Sequence, residues 1–212
     1  NLAIPIILNK SVSDDLRIKI ANESYLEKII SIESLSAIYM SIEFNSEQLN
    51  NPDQAIKLFS KDIHLSMAYL YRLANTQIFP LERINSLIKF WDYAKKNNSE
   101  SIAYHLSTNI LESIDFSEEN SAFAAEIASA YIFNNNFEKA EKWIEFYENT
   151  NQKDSKSIYT RILLDLYSTN DLDSFINSIS LTLKNYTKEE DNQNTELLYV
   201  LKDVMNLEIE PN

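Results

Sequence analysis

The chain is 212 residues long and 44% hydrophobic, with a net charge of −13, no cysteine and no glycine. That length suits one or two ordinary domains, or about five to six helix pairs, and the missing cysteine excludes disulfide and thiolate chemistry. Average usage would supply about 15 glycines, so their absence argues against the tight turns of all-β folds and the phosphate loops of Rossmann and P-loop proteins, whereas helix interiors need none.

The chain opens at Asn1 rather than at a methionine, which predicts a processed chain or a fragment of a longer protein. The apolar run Ala3–Leu8 contains Pro5 and is far shorter than the roughly 20 residues of a membrane helix, so no membrane insertion is expected. A first helix starts after Ser11 or Ser13, with Asp14 and Asp15 favourable to its N-terminal dipole. Residues 34–44 form a further segment. Asn51-Pro52-Asp53-Gln54 is a start signal, with Asn at the cap, Pro in the first turn and Gln three past the cap; the helix it opens carries Ala55, Ile56, Leu58 and Phe59. Residues 63–75 read as the next helix. Pro80 opens another to Lys96, with Ile84, Leu87, Ile88, Trp91 and Ala94 at helical spacing. Asn97-Asn98-Ser99 breaks it, and 101–114 follows.

Ser117-Glu118-Glu119 starts a helix through Phe133. Asn134-Asn135-Asn136 turns the chain, and 137–148 returns. Helices near 155–168 and 172–184 follow a break at 150–154. Thr187-Lys188-Glu189-Glu190 is a capping box before a last helix ending near Met205. Connections are short, which places successive helices antiparallel and adjacent. The expectation is one continuous all-α body over 1–212.

Charge is unevenly spread. Residues 1–106 hold 11 Lys/Arg and 12 Asp/Glu, and residues 107–212 hold 8 and 20. An acidic half repels phosphate backbones, so nucleic-acid binding is not expected. It is either a solvated face or a docking surface for a basic partner.

A 35-residue echo links 124–140 to 159–175. Ala124, Ile127, Ala128, Tyr131, Asn135, Phe137 and Ala140 correspond to Tyr159, Ile162, Leu163, Leu166, Asn170, Leu172 and Phe175. A repeat of this length is about one helix–turn–helix. Over 124–147 the chain resembles a tetratricopeptide repeat. Ile127-Ala128 stands at the Leu-Gly pair, Tyr131 and Phe137 at the two aromatics, Asn135 at the Gly turn and Ala140 at the small crossing residue. Ala124 departs from the bulky first residue, no Pro ends the unit, and Phe175 replaces a small residue in the second copy. The best units are 121–154 and 156–189. The resemblance implies an array of antiparallel helical hairpins, a TPR-like α-solenoid or irregular right-handed superhelix. It also implies a non-catalytic role: holding a protein or peptide ligand on a helical-repeat surface.

The candidate partner-binding residues are Tyr131, Trp143, Tyr147 and Tyr159, with Lys142 and Arg161 as polar partners. Tyr131 and Tyr159 would line a concave face, since they sit on the first helix of each unit. The aromatic clusters Phe90-Trp91-Tyr93 and Trp143-Phe146-Tyr147 span more than one helical face. They are read either as core or as exposed hot spots for a peptide.

Chemistry finds little purchase. His64 and His105 have no second His or Cys at helical spacing, and zinc needs three or four converging ligands. Both are read as half-buried or exposed. Asp14-Asp15 lacks a third Asp, and Ser178 stands where the metal motif suggested by Asn170-Asp171 and Ser174 needs a Glu. No catalytic residue, cofactor or metal is expected. A Glu precedes Ser at Glu23, Glu33, Glu100 and Glu112, as in helical cell-wall lytic enzymes, but the Gly-rich motifs of those enzymes are missing. That leaves one alternative, a helical accessory domain of a larger, for example cell-envelope, enzyme. A second is a self-assembling homo-oligomer, because solenoid ends expose apolar faces. Bacterial periplasm and cytoplasm both stay open.

Overall fold

The computed structural model describes residues 3–44, 57, 59, 61–150 and 155–169. The cap at Asn51-Pro52, the second repeat turn at Asn170 and the segments expected at 172–184 and 187–205 lie outside them. The described residues form nine α-helices and one 3-10 helix, with no strand among them. The chain divides into two compact units, Asn1–Asp115 and Phe116–Asn212, where the sequence reading takes 1–212 as one body.

The first unit contains α1 (Ala3–Leu8), α2 (Asp14–Leu26), α3 (Ile32–Ser41), α4 (Ile63–Thr76), α5 (Pro80–Lys96) and α6 (Glu100–Leu111). Helix α1 was not expected. Pro5 falls in its first turn, where the missing N–H has no intrahelical partner to lose. Ile7 is buried, and its carbonyl accepts Arg17 Nε at 2.8 Å, tying α1 to α2. Helix α2 starts as expected after Ser13, whose Oγ accepts the Leu16 N–H at 3.4 Å. Helix α3 starts two residues earlier than expected, because Ser31 caps it by accepting the Ser34 N–H at 3.3 Å. Helix α6 stops at Leu111 rather than at 114. The N–H groups of Ser113 and Ile114 turn back to Ile110 and Leu111, three residues earlier, and tighten the end.

Helix α4 is the centre of this unit. Residues 66 to 71 are buried without a break, so the helix has no solvent face along that stretch. It packs against α2, α3, α5 and α6. Met67, Tyr69, Leu70 and Tyr71 are at most 1% exposed, and full burial of one such side chain contributes about 1.5–3 kcal/mol.

The second unit contains the 3-10 helix Glu118–Phe123, then α7 (Ala124–Phe133), α8 (Phe137–Thr150) and α9 (Ser155–Ser168). The sequence suggests one helix from Ser117 to Phe133. Its first turns are instead 3-10, since Asn and Ser favour local backbone bonds over α-helix interiors, and the Asn120 N–H bonds the Ser117 carbonyl three residues back at 2.9 Å. Helix α7 repeats the role of α4. Ala124, Ala125, Ile127, Ala128, Ala130, Tyr131 and Ile132 are all buried. The 3-10 helix, α8 and α9 pack around it. Ala128 and Ala140 are both 0% exposed, consistent with small side chains where α7 and α8 approach closely.

A chain without glycine must close its helices otherwise. Lys28, Asn98 and Asn135 adopt φ of 59°, 53° and 55° after α2, α5 and α7. At each, the following N–H reaches back five residues: Ile29 to Ser24 at 2.8 Å, Ser99 to Ala94 at 2.9 Å, and Asn136 to Tyr131 at 2.9 Å. These are three Schellman closures with non-glycine residues at the left-handed position. Asn135 holds the turn conformation expected of it.

Candidate functional site

In the second unit, α7, α8 and α9 carry the residues singled out from sequence. Tyr131, Trp143 and Tyr147 are 3%, 2% and 5% exposed and belong to the core. The same holds for the first unit's cluster: Phe90 and Trp91 are buried and Tyr93 is half-buried. The apolar faces are wider than a single stripe because α5 packs on both α4 and α6, and α8 on α7, α9 and the 3-10 helix. Tyr159 is exposed, at 46%. It shares its helix face with Leu166 and Tyr167, seven and eight residues on, and both are exposed as well.

The two basic candidates are engaged within the unit. Lys142 bonds Glu138 at 2.6 Å on the surface, an i,i+4 pair, and draws the Glu138 carboxyl below its ordinary range. Arg161 donates from Nε and Nη2 to both oxygens of Glu148, at 2.6 and 2.8 Å, and from Nη1 to Glu141 at 3.1 Å. The side chain of Glu148 is 9% exposed. Hydrogen bonding to Glu148 raises the Arg161 pKa beyond its ordinary range despite partial burial. Arg161 thus joins α8 to α9 by a two-pronged bridge, the geometry guanidinium favours.

Sequence reasoning missed Phe116. This ring stacks on Trp143 at 4.3 Å between centroids and 29° between planes, and meets Phe146 edge-on at 5.4 Å. Phe116 is 52% exposed although Trp143 beneath it is buried. The available signal was a lone large ring in the polar stretch Asp115-Phe116-Ser117.

The first unit offers a different site. A surface pocket of about 400 Å³ is lined by Tyr25, Lys28, Ile29, Ile30, Ser31 and His105, among others. Tyr25 Oη lies 2.9 Å from His105 Nδ1, joining α2 to α6. Burial, helped by the charge of Glu33, raises the Tyr25 pKa, so its hydroxyl keeps its proton. Elsewhere in this unit, the Tyr39 hydroxyl donates to Asn22 Oδ1 at 2.9 Å, and Asn22 Nδ2 lies 3.3 Å from His64 Nδ1. An amide nitrogen only donates, so Nδ1 accepts and the ring is neutral. Asp15 Oδ1 accepts the N–H groups of His64 and Leu65 at 2.9 and 3.0 Å. It therefore caps α4 from another helix, a role its sequence position at the start of α2 does not suggest. Both histidines are half-buried, as expected.

Among the described residues no three His, Asp or Glu side chains converge as metal ligands would. No described helix is long and apolar enough to cross a membrane. No family model matches the sequence, and no curated protein or solved structure is significantly similar to it.

Proposed function

We propose that this chain is a protein-binding module of tetratricopeptide-like hairpins that takes a peptide or protein segment on the surface of its second unit. The observation that carries this reading is the face of α9 bearing Tyr159, Leu166 and Tyr167, exposed at 46%, 47% and 43%. Three large side chains in two turns of one helix form a patch of the kind that marks interaction surfaces. The scaffold beneath it supports the same reading. Helix α9 packs on both α7 and α8, as the first helix of a following hairpin does in a stacked array. The Arg161 bridge holds it there.

The test is a pull-down from the native organism's lysate with the full chain, beside a Tyr159→Ser/Leu166→Ser/Tyr167→Ser variant shown to be folded by circular dichroism. A partner retained by the parent and lost by the folded variant is the expected result. A partner held equally by both would remove the α9 face as the site. If no partner is captured and solution mass rises with concentration, the chain is a self-assembling module instead.

A further inference from the structure

The stacked rings of the second unit carry an inference about the chemistry of that partner, and it rests on the protein-binding reading above. Phe116 covers Trp143, and Phe146 closes one side edge-on. The solvent-facing part of this platform is the Phe116 ring and the half-buried Phe146. The face of an aromatic ring is electron-rich and attracts a cation; a guanidinium stacks on it with little loss of hydration.

The surroundings have the matching sign. Glu118 and Glu119 follow Phe116 closely, Glu145 precedes Phe146, and all three are exposed. The lysines of α8 near this face are already engaged: Lys142 on Glu138 at 2.6 Å, and Lys139 over the Tyr131 ring at 5.5 Å. Residues 107–212 hold 20 acidic and 8 basic side chains, so a basic segment would also be drawn in from a distance. A purely apolar partner would gain the ring but leave these carboxylates unused. A basic one uses both.

We propose that the partner presents a basic segment, with an arginine laid over Phe116 and neighbouring positive charges met by Glu118, Glu119 and Glu145. The probes are three short capped peptides, alternating serine with arginine, lysine or glutamate, titrated calorimetrically into the full chain. The arginine peptide should bind best, the lysine peptide more weakly and the glutamate peptide not at all. Phe116→Leu keeps an apolar cover on Trp143 and should weaken the arginine peptide about threefold, the scale of a cation–π contact at an exposed site. Phe116→Ala serves as a second variant, and both are checked by thermal melting. Glu118→Gln/Glu119→Gln/Glu145→Gln should weaken it by a similar factor and flatten the salt dependence.

Equal binding by the parent and Phe116→Leu would mean attraction by net charge alone and would overturn the proposal, as would no binding of the arginine peptide. A lysate partner that the α9 variant loses but Phe116→Leu retains would overturn this inference and leave the protein-binding reading standing.

Discussion

The two units solve the same packing problem with different ties. Each is built around one helix buried on nearly every side, α4 in the first and α7 in the second. In the first unit the polar side chains that join helices lie at both short and long range: Asn22 and Tyr39 are 17 residues apart, Trp91 and Ser107 are 16 apart, and others are much farther. Tyr25 and His105 are separated by 80 residues, Asp15 and His64 by 49, and Asn22 and His64 by 42. In the second unit the joining ion pairs stay within 30 residues: Glu126 and Lys156 at 30, Glu141 and Arg161 at 20, Glu148 and Arg161 at 13. The 35-residue echo falls in the second unit, and its second turn at Asn170 lies outside the described residues. Long-range polar ties demand particular pairs once, and leave no period behind.

The largest expected effect asks whether the first unit, for all its polar ties, is still held mainly by apolar burial. Phe90 is 0% exposed and packs against Tyr71 at 5.8 Å. Phe90→Ala should cost about 3–5 kcal/mol, the transfer loss plus a cavity. Urea unfolding followed by Trp91 fluorescence, in a Trp143→Phe background, would read it. A loss of about 1 kcal/mol, no larger than one hydrogen bond, would show that the polar ties dominate. The second unit gives the next largest effect. Arg161→Met removes both prongs from the nearly buried Glu148 and should cost about 2 kcal/mol, the scale of hydrogen bonds to a charged group. Trp143 fluorescence in a Trp91→Phe background reports it. No measurable loss would mean that the bridge is surface ornament and free to serve a partner.

What the sequence discloses follows the same division. The all-helical class, the start of α2 at its Ser13 cap, the Pro80 start of α5 and the Asn135 turn all rest on local chemistry, and all were legible. The 3-10 opening before α7 was not, because Ser117-Glu118-Glu119 is an equally good start for either helix. Burial of Tyr131, Trp143 and Tyr147 could not be separated from exposure. A ring on the second face of a helix is core or surface according to whether another helix packs there, and that is a non-local fact. Asp15 shows the same limit. Its sequence position predicts service to its own helix, and only the fold reveals that it caps α4. Phe116 escaped because it belongs to no helix and so to no periodic pattern.

A pH titration would sharpen the contrast between the units. Burial lowers the His64 pKa below its ordinary value. Asp15 and Glu23 oppose that shift, and Lys19 adds to it. The unfolded chain therefore takes up the proton at a higher pH than the folded one. The stability associated with the neutral ring is fully present above the ordinary histidine value of about 6.5, and is lost as pH falls through the lowered folded value. Protonation also sets Nδ1–H against the Asn22 amide donor. The stability of the first unit should decline on mild acidification, and His64→Gln, which keeps an acceptor but does not titrate, should flatten that decline. Identical slopes in both proteins would remove His64 as the cause. The described part of the second unit contains no histidine, so its stability should stay level over the same range.

The smallest effect concerns the Schellman closures, where lysine and asparagine occupy the same left-handed position. Lys28 and Asn135 share nearly the same φ, 59° and 55°. Lysine has a Cβ that crowds the following carbonyl in this conformation, at a cost of about 1–2 kcal/mol. Asparagine lowers that cost through local hydrogen bonding of its side chain. Glycine removes the crowding but raises the entropy of the unfolded chain by about 0.4–1 kcal/mol. The balance differs at the two sites. Lys28→Gly should stabilise the first unit by about 0.5 kcal/mol, since the relief exceeds the entropic loss. Asn135→Gly should be near neutral or slightly destabilising, since asparagine has little strain to release. Paired thermal melts of the two variants against the parent decide this. A Lys28→Gly variant that melts no higher than Asn135→Gly would mean that the Lys28 turn carries no strain, and that the glycine-free chain closes its helices at no cost in either unit.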